Sequence, residues 1–218
     1  MIQDALSRRL IAAALGAVAD EICRDHYDTL TQEPALSARI GQGLETKLNG
    51  VMVFGHRLRI LSQDIPDRGA GAMERRIGAD LYIGIDIDTE QGRITKGLLV
   101  QSKWDSSLTT RTSAELNRAC DNMLAVSDAS YVWIYSASGV RVIDARKVRT
   151  RKKILGKLSG GEGLDDFFDD ALACVKGDFQ MGLPDEIDTR QALRGKLKEL
   201  SVPTGLIVNI KNPSGVFR

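Results

Sequence analysis

Residues 80–104 read DLYIGIDIDTEQGRITKGLLVQSKW and contain the strongest local signal in the chain. Apolar and polar residues alternate over 81–88, a turn sequence follows at 89–92, and a second apolar run covers 97–104. Alternation on both sides of a short turn is typical of two antiparallel strands joined by a tight connection. The segment therefore predicts a β-hairpin.

The hairpin is expected to bring polar side chains together at one end. If the four-residue turn leaves Asp88 opposite Arg93, the same register places Asp80 opposite Gln101. Side chains two positions apart share a face, so Lys103 points the same way as Gln101, and directly opposed Cβ atoms lie about 5 Å apart. We expect the side chains of Asp80, Gln101 and Lys103 to converge there.

Helical periodicity and turn residues divide the rest of the chain. Helices are predicted at 3–24, 35–49, 113–126, 164–175 and 188–200, and further strands at 58–65, 130–136, 139–145 and 205–210. With 218 residues, of which 43% are hydrophobic, the chain has material for one sizeable core. We expect a single α/β domain with a mixed central sheet flanked by helices. Its core lies at about 34–145, with the helix at 3–24 before it and a helical and strand extension at about 160–218 after it.

The charge is balanced overall and uneven locally. Thirty Lys and Arg against 29 Asp and Glu give a net charge of +1, so a nucleic-acid partner requires a local basic patch. Residues 146–157 hold bases and no acid: Arg146, Lys147, Arg149, Arg151, Lys152, Lys153 and Lys157. This block is expected either to bind nucleic-acid phosphates or to be a solvated connector.

The cysteines and the N-terminal segment indicate the cellular compartment in which the protein is expected. Cys23, Cys120 and Cys174 are spaced neither as paired zinc ligands nor as a disulfide framework, which favours a reducing cytoplasm. The segment at 8–19 resembles a signal peptide, but Asp4 and the helical spacing of its apolar residues favour a retained helix. No apolar run approaches the roughly 20 residues that span a bilayer.

The expected cluster has the groups that a metal-dependent phosphodiesterase needs. Asp80 and Gln101 offer oxygen ligands of the kind that Mg²⁺ prefers, and the backbone carbonyl of Ser102 passes the same point. An ammonium at Lys103 can orient the attacking water and offset the charge of the phosphorane.

A further acid is expected near this cluster, and two candidates are open. Glu45 lies beside Leu44 on the helix at 35–49, where a helix can hold it over the end of a sheet. Glu74 lies six residues before Asp80 and can approach from the intervening loop. We prefer Glu45, although either residue can be an ordinary surface acid.

The sequence Gly78-Ala79-Asp80, then a hairpin, then Gln101-Ser102-Lys103 followed by a helix and a strand resembles the PD-(D/E)XK nuclease superfamily. The likeness is greatest to its Mrr-like branch, whose motif reads D…QxK. The restriction-endonuclease-like order of that family, α-β-β-β-α-β, matches the elements predicted over about 34–145. The resemblance implies that Asp80 and Gln101 are metal ligands, that Lys103 is the catalytic lysine, and that Glu45 is the helical glutamate.

The resemblance also implies a function. It suggests an endonuclease that hydrolyses DNA with Mg²⁺, for which Mn²⁺ substitutes, as the effector of a restriction or anti-phage defence system. Cleavage of both strands takes two sites, so a homodimer is expected, and a separate sensor or ATPase protein is a possible partner. Two alternatives stay open. The first is an inactive module that binds nucleic acid or a partner, because a neutral amide binds Mg²⁺ less strongly than a carboxylate. The second is a ribonuclease.

Overall fold

The computed structural model describes residues 1–65, 77–89, 92–107, 110–149, 161–184 and 189–211. Its helices are α1 Ala5–His26, α2 Glu33–Leu48, α3 Thr110–Leu124, α4 Ala145–Arg149, α5 Leu164–Leu172 and α6 Thr189–Leu200. Its strands are β1 Met52–Val53, β2 His56–Asp64, β3 Leu81–Thr89, β4 Gly92–Trp104, β5 Ser130–Ser136, β6 Gly139–Asp144 and β7 Thr204–Lys211. None of the described helices is long and apolar enough to cross a membrane.

The strands form one mixed sheet in the order β1-β2-β7-β3-β4-β5-β6. β7 is parallel to β3 and antiparallel to β2, and β4 is parallel to β5 across the crossover helix α3. The α/β class with a mixed sheet flanked by helices is therefore confirmed. The chain order from α2 to β5 follows the expected alternation, with the short β1 added.

The position of β7 differs from the expected division into core and extension. β7 lies between β2 and β3, so the segment expected to follow the core supplies a strand in the middle of the sheet. Most of its residues are buried, and a strand covered on both faces belongs in a sheet interior. The core therefore continues beyond residue 145, and β2 and β3 are not neighbours.

Helices cover both faces of the sheet. One core cluster joins α1, α2 and α5 to strand residues such as Leu81 and Val100. The other joins α3, α4 and α6 to the alternate residues, such as Tyr82 and Leu99. Because neighbouring residues of a strand face opposite layers, residues at the end of a strand can meet groups from either layer.

The hairpin has the predicted register. Asp88 pairs with Arg93 and Leu81 pairs with Val100, and the backbone N–H of Asp80 donates to the carbonyl of Val100 over 2.8 Å. Asp80 therefore lies just before β3, at the level of Gln101. β4 begins earlier than predicted because its polar first residues still pair along the whole of β3.

Candidate active site

Asp80 is held at the end of the hairpin by a close approach of the backbone to α3. Gly78 has φ +73°, and a Cβ added to it would lie 2.7 Å from the Cα of Ala119 and 2.9 Å from its carbonyl oxygen. A residue other than glycine would be strained there and would collide with α3. The glycine of the Gly78-Ala79-Asp80 sequence thus sets the position at which Asp80 reaches β4.

The carboxylate of Asp80 is buried and contacts β4. Its Oδ2 atom accepts hydrogen bonds from Gln101 Nε2 at 2.5 Å, from the backbone N–H of Ser102 at 3.0 Å, and from the Ser102 hydroxyl at 2.8 Å. Gln101 Nε2 also donates to the Ser102 carbonyl at 3.1 Å. The structure therefore brings Asp80 and Gln101 together, and it adds the hydroxyl of Ser102, of which the sequence analysis used the carbonyl alone.

A chain of hydroxyl groups supports this carboxylate from α2 and β5. Ser37 donates to the Ser102 hydroxyl at 3.2 Å and lies 2.7 Å from the Tyr135 hydroxyl. Burial raises the pKa of the Tyr135 phenol well above its ordinary value, so the phenol keeps its proton. The single proton of Ser37 has two acceptors, the Ser102 hydroxyl and the Glu33 carbonyl at 3.1 Å. When Ser37 donates to Ser102, the chain runs from Tyr135 through Ser37 and Ser102 to Asp80. Each bond in this chain polarises the next, and Oδ2 of Asp80 is the final acceptor.

Lys103 lies at the same end of β4 and is more accessible than Asp80. Its Nζ is 3.7 Å from Oε1 of Glu33, and the two side chains are 19% and 20% exposed. Glu33 is the first residue of α2. The acid that α2 contributes near Lys103 is thus Glu33, which the sequence analysis missed. The sequence feature that could have identified Glu33 is an acidic residue next to Pro34, at the start of the predicted helix.

Glu45 occupies a different place, on the outer edge of β2. Its Oε2 accepts the backbone N–H of Ser62 at 2.9 Å, and its Oε1 lies 2.6 Å from Nη2 of Arg190. Nη1 of Arg190 donates to the Ser62 carbonyl at 3.4 Å. Glu45 and Arg190 together satisfy the edge groups of Ser62, which β1 does not reach.

The insertion of β7 explains why Glu45 does not join Asp80. Adjacent strands lie about 4.8 Å apart, so β7 places β2 roughly 10 Å from β3. Ser62, the residue that Glu45 contacts, pairs with Leu206 of β7 and not with β3. Of the two acids considered from the sequence, Glu45 stabilises the sheet edge, and Glu74 lies outside the described residues.

The predicted basic block is partly neutralised where the structure describes it. Arg146 lies 3.0 Å from Asp144, and Arg149 lies 2.6 Å from Asp121. The acids missing from the block's own sequence thus come from β6 and α3. Lys147 is exposed. The other four bases of the block lie outside the described residues: Arg151, Lys152, Lys153 and Lys157.

The donors at the hairpin end fit Mg²⁺ in type. They are the carboxylate of Asp80, the amide of Gln101 and the carbonyl of Ser102; the described residues contain no cluster of three His, Cys, Asp or Glu suited to a metal. Half a turn of the Gln101 amide exchanges its nitrogen and oxygen. Mg²⁺ commonly binds one or two carboxylates together with waters and substrate phosphates, so a site with few acids is compatible with it.

No family model, no curated protein and no solved structure matches the chain. The function of the side chains at the hairpin end therefore rests on their own chemistry.

Proposed function

We propose that the protein is a Mg²⁺-dependent endonuclease that hydrolyses phosphodiester bonds in DNA at a centre formed by Asp80, Gln101 and Lys103. The observation that supports it is the contact of Asp80 with Gln101 at the strand end that also holds the Lys103 ammonium. The element order and the D…QxK spacing that resemble PD-(D/E)XK nucleases agree with this assignment.

Each group has a role in this proposal. Asp80, Gln101 and the Ser102 carbonyl hold the cation, and bound Mg²⁺ or Mn²⁺ supplies a water of lowered pKa and positive charge beside the phosphate. Lys103 donates a hydrogen bond to the attacking water and balances the charge that develops on the phosphorane. Glu33 positions the Lys103 side chain, and the hydroxyls of Ser102 and Ser37 fix the Asp80 carboxylate.

Plasmid nicking tests the proposal. Supercoiled DNA is incubated with Mg²⁺, Mn²⁺ or EDTA and with wild type, Lys103→Ala or Lys47→Ala, a control that removes an exposed lysine paired with Glu21. We expect metal-dependent nicking by wild type and Lys47→Ala, and a loss of about 100-fold or more in Lys103→Ala. Equal nicking by wild type and Lys103→Ala would assign the activity to another site or a contaminant.

The same assay separates the nuclease from its alternatives. The neutral Gln101 and the hydrogen bonds that already occupy Asp80 Oδ2 favour, as second candidate, a module that binds nucleic acid without cutting it. Retained DNA binding with no cleavage under any metal would support that module. Faster cleavage of RNA than of DNA would instead identify a ribonuclease.

The wider setting is also part of the proposal. Cutting both strands of a duplex requires two centres, which favours a homodimer. The likeness to defence nucleases further suggests an effector in the cytoplasm that a sensor or ATPase partner activates; this step is an analogy with the family and not a property of the site.

The two glutamates of α2 are expected to behave differently. Glu33→Gln should lower the nicking rate about tenfold, because Lys103 loses the carboxylate that positions it. Glu45→Gln should leave the rate within about threefold of wild type. It should nevertheless lower stability by about 1–2 kcal/mol, because it removes the charge that Ser62 and Arg190 contact. Nicking rates and urea unfolding of both variants check this. A larger loss of nicking rate in Glu45→Gln than in Glu33→Gln would instead assign Glu45 to the catalytic centre.

A further inference from the structure

A cleft of about 1000 Å³ separates α6 from the end of β2. Residues 62–64 line it from β2, and Arg190, Arg194, Gly195 and Lys198 line it from α6. It is distinct from the cluster around Asp80.

The basic residues form a row on the exposed face of α6. Arg190, Arg194 and Lys198 follow one another every four residues and are all exposed, whereas Leu193 and Leu197 of the same helix are buried. Four residues of helix rise about 6 Å, so the row extends over about 12 Å. A row of this length can contact several successive charges of an extended polymer.

The cleft has an excess of positive charge. Arg190 is balanced by Glu45 at 2.6 Å, while Arg194 and Lys198 take part in no ion pair within the described ranges. Asp64 is the acid in the lining, opposite two cations. The surplus lies on side chains that are still solvated, and an anionic ligand can therefore bind them without breaking an internal contact.

The sheet register places this cleft near the candidate active site. Asp64 pairs with Thr204 of β7, Thr204 pairs with Leu81, and Leu81 pairs with Val100. The cleft and Asp80 therefore lie at the same end of the sheet, two strand spacings or about 10 Å apart. One nucleic-acid strand can therefore contact both the cleft and the proposed centre.

We propose that the α6 cleft binds the sugar–phosphate backbone of the nucleic-acid substrate, close to the phosphate that is cleaved. This inference rests on the proposed action on nucleic acid. A polymer with regularly spaced phosphates suits a row of two arginines and a lysine at the same end of the sheet as the proposed centre. An acidic protein has no such reason to bind at this edge of the sheet.

Binding of a short fluorescent DNA duplex in EDTA, followed by anisotropy, tests the cleft without cleavage. Arg194→Gln/Lys198→Gln removes the two solvated cations. Arg9→Gln/Arg141→Gln removes the same charge from exposed positions on α1 and on β6, at the opposite edge of the sheet. We expect the cleft variant to raise Kd about tenfold or more and to reduce the slope of log affinity against log salt by about 2. The control should change neither by a comparable amount.

Gly195 allows a second test with variants matched in size. A Cβ added at Gly195 meets nothing within 4 Å, so both Gly195→Glu and Gly195→Gln fit, and either side chain favours the helix over glycine. Glutamate places a negative charge in the cleft, whereas glutamine places the same bulk without charge. We expect Gly195→Glu to weaken duplex binding severalfold more than Gly195→Gln does.

The outcomes separate this inference from the proposed nuclease activity. Wild type that binds DNA without cutting it, together with weaker DNA binding by Arg194→Gln/Lys198→Gln than by the control variant, would support the cleft and contradict the nuclease proposal. Cleavage by wild type with unchanged binding in that variant would overturn the cleft and keep the nuclease. Absence of wild-type binding at low salt, or displacement of DNA by polyglutamate as readily as by unlabelled DNA, would also overturn the cleft.

Discussion

Plasmid cleavage is expected to fall at least about 1,000-fold when Asp80 is replaced by asparagine. A loss of this size corresponds to about 4 kcal/mol of transition-state stabilisation. The loss is expected because the centre contains few acids: Asp80 is the carboxylate that contacts Gln101 and Ser102. Replacing it by a neutral amide removes the charged ligand on which tight binding of Mg²⁺ depends.

The fold of Asp80→Asn is expected to be retained. The amide oxygen of asparagine can take the place of Oδ2 and accept the hydrogen bonds from Gln101 and from the N–H and hydroxyl of Ser102. Asp80 is 1% exposed, and replacing a buried charge by a neutral group of the same shape reduces the cost of desolvation. We therefore expect Asp80→Asn to fold, with a Tm close to that of wild type.

Nicking rates and thermal melts with and without Mg²⁺ measure both effects together. Wild type should gain stability when Mg²⁺ is added, and Asp80→Asn should gain much less, because a ligand stabilises the state that binds it. Asp25→Asn, at an exposed aspartate of α1, is the matched control. A nicking rate of Asp80→Asn within tenfold of wild type would place the hydrolytic centre elsewhere.

The local parts of this site could be predicted from the sequence because they depend on short-range geometry. Alternation fixes which residues of a strand share a face, and the turn fixes the register, so the contact between Asp80 and Gln101 follows from 25 consecutive residues. The support of the Asp80 carboxylate by Ser37 was not predictable in the same way. It requires the side chain of a residue on α2 to reach the end of β4.

The order of the strands was the main long-range feature that the sequence could not supply. The apolar run at 205–210 predicts a strand, but its pattern is the same whichever strands it pairs with. Its insertion between β2 and β3 decides which acid of α2 approaches Lys103. Glu33 and Glu45 lie on the same helix, and only the tertiary arrangement shows that Glu33 reaches Lys103 while Glu45 reaches the edge of β2.

The two basic segments show that the sequence alone does not tell which charged residues are paired in the fold. The block at 146–157 is conspicuous because it is dense, yet Arg146 and Arg149 are paired with acids from neighbouring elements. The row on α6 is sparse in sequence, and its significance depends on a cleft that folding creates. Density of charge along a chain therefore does not show which charges the fold pairs and which it leaves solvated.

The second large effect is expected for Gly78→Ala, which should lower the free energy of unfolding by about 2–4 kcal/mol. The left-handed backbone at φ +73° accounts for about 1 kcal/mol of this loss. The collision of the new Cβ with the Cα and carbonyl of Ala119 adds about 1–3 kcal/mol, because backbone atoms of α3 cannot rotate away as a side chain can.

Gly50→Ala separates these two contributions. Gly50 also has a positive φ, +87°, but a Cβ added there meets nothing within 4 Å. This variant should lose about 1 kcal/mol from backbone strain alone. Urea unfolding of both variants and wild type, analysed with a common slope, gives the difference. Equal losses for Gly78→Ala and Gly50→Ala would show that the chain yields at residue 78 without moving α3.

The same substitution is expected to impair cleavage beyond its effect on folding. Gly78 lies two residues before Asp80, and relief of the collision must move either α3 or the segment that carries the Asp80 carboxylate. A displacement of about 1 Å is enough to cost about 100-fold in rate when catalysis depends on position. Gly78→Ala should therefore nick plasmid far more slowly than Gly50→Ala at a temperature where both are folded. Equal rates would mean that α3 shifts and Asp80 stays in contact with Gln101.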